Sequence, residues 1–208
     1  MIKDNFKVQL ATIISYVFHP LLMPSIGILI ILNSGTHFSF LPIEIKRLVF
    51  YSILLMSCVL PLLFLPIFKL QGIISSYKME REKERQLPLF IITLIYFTGY
   101  YFIYRFTFIP DFIKYYILAV AITLGITLII TMRIKVSIHM TAIGGLIGLL
   151  ITLLRYDDLH LEFYFIITFI AAGLIGASRL KLNSHNPLQV YLGLIVGFLS
   201  VVILLAFN

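Results

Sequence analysis

Three short segments hold the residues whose types and spacing could do chemistry. They are KMEREKER at 78–85, RIKVSIHM at 133–140 and SRLKLNSHNPLQ at 178–189. All three gather cations between long apolar runs, and the second and third add a histidine each. Ser137 and His139 stand where a helix begins, and Asn186-Pro187 opens another, with proline at the first helical position. A helix start offers unpaired backbone N–H groups and partial positive charge, so it suits an anion. Taken singly, each segment has a plainer reading. Glu80–Lys83 and Glu82–Arg85 support a solvated helix. Ser137 fits an N-cap, a lone interfacial histidine fits a structural contact, and Arg179 and Lys181 can snorkel toward lipid headgroups. Snorkelling leaves His185 unexplained, and also the like character of the other two segments.

The elements that must position these residues are membrane helices. The chain has 208 residues, of which 61% are hydrophobic and 12% charged, and its mean hydropathy is +1.05. A soluble domain of this size has no means of hiding so much apolar surface. Runs of about 20 apolar residues span a bilayer. Seven such runs are expected, at 8–33, 46–68, 88–108, 113–132, 137–154, 161–178 and 187–207. The predicted fold is all-α, a polytopic transmembrane bundle of six to seven spanning helices in a single membrane domain over 1–208. The first run is long and has no small-residue cleavage site, so it reads as a span and not as a signal peptide. It contains His19-Pro20 and Pro24, and internal proline kinks a helix. The fifth and sixth runs are short and extend into the interface. Cys58, the single cysteine, lies in an apolar run as a structural residue, with no disulfide framework and no thiolate cluster. No metal or cofactor is expected.

The net charge is +7. The cations sit in short loops between apolar runs, which points to membrane lipids or a phosphate substrate and away from nucleic acid. With seven spans, parity puts the N-terminus and loops 69–87, 133–136 and 179–186 on one side of the membrane. That side carries 11 of the 16 Lys and Arg residues. By the positive-inside rule it faces the cytoplasm. Without the three proposed ligands Lys78, Arg85 and Arg179 the bias is 8 against 5. The reading therefore fixes the shared face of the three segments, not the compartment.

In that order and on that face, the three segments resemble the signature of the type 2 phosphatidic acid phosphatase and vanadium haloperoxidase superfamily. Its first part is Lys, six residues, Arg-Pro; its second Pro-Ser-Gly-His; its third Ser-Arg, five residues, His, three residues, Asp. The matching positions are Lys78, Arg85, Ser137, His139, Ser178, Arg179 and His185. The phosphatase-like core covers about 70–200, and the hydropathy fits the membrane lipid phosphatase branch, not the soluble haloperoxidases. Gln86 stands where the signature has proline, Val136 and Ile138 replace the proline and glycine, and Gln189 replaces the aspartate.

The resemblance implies an integral membrane phosphatase hydrolysing a lipid phosphate or diphosphate without metal, in the bacterial inner (cytoplasmic) membrane. Undecaprenyl pyrophosphate, phosphatidic acid and phosphatidylglycerol phosphate are the implied substrates. Lys78, Arg85, Ser137, Ser178 and Arg179 would bind phosphate, the guanidinium groups bidentately. His185 would be the nucleophile and form a phosphohistidine. His139 would protonate the leaving oxygen and then activate water. Gln189, in the orienting position, can accept a hydrogen bond but supplies no charge. The alternative is a catalytically weakened or inactive lipid-phosphate binding or transport protein. Three small-residue pairs, Gly144/Gly148, Ala172/Gly176 and Gly193/Gly197, predict close packing of the last three helices. His19 reads as a structural kink, with a lipid entrance as the other reading. His37 and His160 read as solvated across the membrane, and Asp157 and Asp158 as loop residues.

Overall fold

The computed structural model describes residues 2–77, 79, 81–154 and 161–206, and it is all-helical. Helices α1 (Ile2–Val17) and α2 (Met23–Asn33) form one broken passage, and α3 (Ile43–Leu54) and α4 (Leu60–Leu70) form the next. The others are α5 (Glu82–Tyr104), α6 (Asp111–Thr131), α7 (Ile138–Leu153), α8 (Glu162–Lys181) and α9 (Pro187–Ala206). Six passages are long and apolar enough to cross a membrane, and α7 is a shorter apolar helix of 16 residues. Large apolar side chains face outward, among them Leu63, Phe163, Ile166, Ile170, Ile195 and Ile203. Such a surface belongs in lipid. This is a membrane protein with transmembrane helices. Six of the seven expected runs correspond to spanning passages; the fifth, 137–154, is the short helix α7, and the sixth, expected to be short, is the 20-residue α8.

Proline explains both broken passages. Pro20 has no N–H, and its ring excludes the helical carbonyl four residues back. The preceding residue is pushed to extended backbone, and His19 has φ −66° and ψ 135°. The chain makes one 3-10 turn over Pro20–Leu22 before α2 begins. In the second passage a wide π-type turn spans Leu55–Val59, and the Leu60 N–H donates to the Leu55 carbonyl. Pro61 follows it, and the wide turn takes up the backbone misfit that proline creates. The two irregular stretches touch. The Ser25 and Ser57 hydroxyls share a 2.9 Å hydrogen bond, and the Cys58 thiol donates to the Leu21 carbonyl at 3.2 Å.

Helix α7 is the core of the bundle, with most of its residues buried. At about 1.5 Å per residue it is shorter than the hydrocarbon layer, and neighbouring protein covers it. Its closest partner is α9. A Cβ on Gly144 would overlap the Leu194 carbonyl, and one on Gly197 would overlap the Thr141 carbonyl. A Cβ on Gly193 would lie 2.6 Å from the Ser137 carbonyl oxygen, and one on Gly148 2.8 Å from that of Phe198. Glycine is therefore what lets these two backbones meet. The expectation for the third helix is corrected. Helix α8 rests on α1 and α7 and barely touches α9. A Cβ on Gly176 would meet only ordinary contacts, the nearest at 3.7 Å.

The charged run before the third passage is also not a separate solvated helix. Glu82–Arg85 is the first turn of α5, and Glu84 and Arg85 are both buried.

Candidate functional site

Local chain geometry brings Arg179 and His185 together. Helix α8 ends with the Asn183 N–H donating to the Leu180 carbonyl at 3.0 Å and the Ser184 N–H to the Arg179 carbonyl at 3.2 Å. Asn183 takes the left-handed conformation that such a helix end requires, φ 49°, which asparagine tolerates. The turn leaves Arg179 in the last turn of α8 and His185 just beyond it.

Helix α9 then opens with a reciprocal cap. The Gln189 N–H donates to Asn186 Oδ1 at 2.9 Å, and the Asn186 N–H donates to Gln189 Oε1 at 3.3 Å. The same Oε1 lies 3.0 Å from His185 Nδ1. Because that amide oxygen already faces an N–H, the histidine nitrogen must donate to it. His185 therefore carries its proton on Nδ1, and Nε2 keeps a lone pair. Gln189 supplies by hydrogen bonding the orientation that a carboxylate would supply by charge.

The start of α7 is tied to the start of α9 by the Ser137 N–H, which donates to the Gln189 carbonyl at 3.2 Å. His139 lies in the first turn of α7. Its Nε2–H donates to the Ser15 carbonyl at 3.2 Å. The Arg179 guanidinium donates to the Ser15 hydroxyl. Arg85 reaches across from α5, with Nε–H donating to the Met79 carbonyl at 2.7 Å and Nη1 to the Val136 carbonyl at 3.3 Å.

Arg85, Lys135, Arg179, His19, His139 and His185 share the wall of one cavity of about 970 Å³. That is at the upper end of the usual range for ligand pockets. Leu62, Leu65, Ile92 and Leu124 line its apolar part. No Asp or Glu is among the described wall residues; Glu82 and Glu84 act on Arg85 from outside it. Positive charge with no acid on the wall calls for an anion, and the apolar part suits a hydrocarbon chain on that anion. A second cavity of about 460 Å³, bordered by α2, α7 and α8, has no histidine or cation on its described wall. Among the described residues no three His, Cys, Asp or Glu side chains converge as a metal site.

His185 has its pKa lowered from 6.5 to about 4, first by burial and then by the Arg85 cation, with Lys135 and Arg179 adding to the effect. The bond to Gln189 acts the other way. The imidazole is neutral at neutral pH, with the Nε2 lone pair free.

Among the described residues, Ser137, Ser178 and Gln189 are not on the cavity wall. Ser178 is buried, and its hydroxyl donates to the Leu174 carbonyl in its own helix at 2.7 Å. Ser137 is buried at the N-cap position of α7, but its hydroxyl makes no hydrogen bond. Neither is on the cavity wall, and Gln189 supports His185 from behind. Lys78 lies outside the described residues, as do Arg155, Asp157, Asp158 and His160. His37 is exposed. Ser15 and Lys135, which the sequence does not single out, are on the cavity wall, and so is His19, which the sequence marks as a kink or a lipid entrance. Their signal in the sequence is faint: Ser15 and His19 lie four residues apart, which is one helical face, and the histidine interrupts an apolar run.

Comparison with protein-family models, curated proteins and solved structures finds no match.

Proposed function

We propose that this protein is an integral membrane phosphatase that hydrolyses a lipid phosphate or diphosphate through a phosphohistidine on His185. The observation that carries the reading is the state of His185. It is a neutral imidazole with its proton fixed on Nδ1 by Gln189 and its other nitrogen unprotonated, on a cavity wall it shares with Arg85 and Arg179. The guanidinium groups hold the phosphate oxygens and offset the charge that repels a nucleophile. Nε2 of His185 attacks phosphorus, and the bond to the lipid oxygen breaks. His139 acts as the acid in its imidazolium form, which the charge of the bound phosphate favours; it keeps Nε2–H on the Ser15 carbonyl and gives its other ring proton to that departing oxygen. It then takes one from the water that attacks the phosphohistidine, which releases phosphate and restores His185. The family resemblance supplies the two histidine roles, a part for Lys78 in binding, and the bacterial inner membrane as location.

A second reading is a lipid-phosphate binding or transport protein without turnover. Gln189 favours it, because an amide orients His185 but does not stabilise its cationic form by charge. The test is phosphate release by purified protein in EDTA from a polyprenyl diphosphate, phosphatidic acid and phosphatidylglycerol phosphate, beside His185→Ala. Release that survives EDTA and disappears in the variant is expected. Release that persists in His185→Ala overturns the proposal, and lipid-phosphate binding without release selects the second reading.

A further inference from the structure

We propose that His19 is a third histidine of the anion site, with its Nε2–H donating to an oxygen of the bound phosphate or diphosphate. The inference takes the identity of the head group from the phosphatase reading; the anion site itself rests on the geometry. The Leu21 N–H donates to His19 Nδ1 at 3.3 Å. With Nδ1 accepting, the neutral ring carries its proton on Nε2. Among the described residues no group accepts from that nitrogen, and the ring lies on the cavity wall. The rings of His19 and His139 meet edge to face, with centroids 5.8 Å apart and planes at 70°, and His19 feels the charge of Arg179.

One turn earlier, Ser15 takes hydrogen bonds from both His139 and Arg179. The broken first passage is thus already joined to two residues of the site. A separate observation also points to a ligand. Arg179 Nε is buried and has no hydrogen-bond partner, although a buried cationic donor is costly to leave unpaired. An anion held between Arg179 and His19 would satisfy both donors. A cap for the Pro20–Leu22 turn does not require histidine, since asparagine is at least as good a helix cap. The far nitrogen is what histidine adds.

Two substitutions separate capping from binding. His19→Asn keeps a side-chain cap and loses the far N–H. His19→Gln carries an amide N–H to about the position of Nε2 and gives up the cap. The measurement is calorimetric titration of the full chain in detergent with inorganic phosphate and with pyrophosphate, alongside its thermal unfolding. His19→Asn is expected to weaken binding of the better anion about tenfold or more, and His19→Gln to stay within about threefold of wild type. Wild-type affinity in His19→Asn overturns the assignment, as does a loss in both variants that follows their thermal stability. If the wild type binds neither anion, the His19 assignment falls, while phosphate release from the lipid substrates still decides the phosphatase reading. Anion binding with the expected His19 pattern but no lipid-phosphate hydrolysis keeps the assignment and removes the phosphatase.

Discussion

The α7–α9 pair and the first two passages border the same cavity but hold their residues in opposite ways. In α7 and α9, four glycines bring the backbones so close that a methyl group at any of them crowds a carbonyl. A backbone hydrogen bond from Ser137 to Gln189 closes the end where His139 and His185 emerge. The first two passages are interrupted by a 3-10 turn and a π-type turn, and helix α1 packs chiefly on α8. They give Ser15 and His19 to the polar end of the cavity and Leu62 and Leu65 to its apolar wall. Close packing resists small displacements, whereas helix irregularities are frequent at functional sites. The difference assigns the fixed geometry of His139 and His185 to α7 and α9, and the walls around the cavity to the broken passages.

The largest expected effect tests the glycine seam. Gly197→Ala forces a methyl group onto the Thr141 carbonyl and is expected to cost about 2 kcal/mol or more. Gly173→Ala, with nothing within 4 Å of its new Cβ, is expected to be neutral or to gain up to about 1 kcal/mol. Thermal unfolding in detergent reads both. Equal losses would remove the seam as the rigid element.

The next effect lies within the fixed half. Nitrogen-15 NMR of labelled histidine should place the His185 midpoint at about 4. Arg85→Gln should move it upward, because the lost cation no longer opposes the imidazolium. In the wild type, His185 therefore stays a neutral imidazole as the pH falls from 7 to about 5, and becomes the imidazolium only near 4. A wild-type midpoint at the free-histidine value of about 6.5 would mean that burial and the surrounding cations do not act on the ring.

The smallest expected effect concerns Gln189. Gln189→Asp adds a charge that favours the His185 imidazolium and should preserve or raise the rate of phosphate release. A lower rate would show that the amide's shared bond with Asn186 and His185 outweighs the charge.

Features set by local chemistry could be read from the sequence. Apolar runs of spanning length became the passages, His19-Pro20 became a break, and Asn186-Pro187 became a helix start. The convergence of Arg85, His139, Arg179 and His185 followed the parity of the spans. Features set by packing were not legible. The alternating charges of Glu82–Arg85 look solvated until α5 is seen to bury Glu84 and Arg85. Ser178 has the spacing of a ligand, but its hydroxyl bonds to its own helix. The small pair Ala172/Gly176 looks like the two pairs that do pack closely, yet α8 turns toward α1. Ser15 and His19 join the site only because the first passage folds back against α7 and α8, a contact no spacing in α1 encodes.

The most direct test of the central claim is to trap the intermediate. Lipid phosphate labelled in its terminal phosphoryl group is mixed with the protein, quenched in base, where phosphohistidine survives, and the label is mapped. Label on His185 Nε2, formed in EDTA and absent from His185→Ala, is the expected result. Hydrolysis that proceeds with no labelled protein, or with the label on another residue, would contradict it.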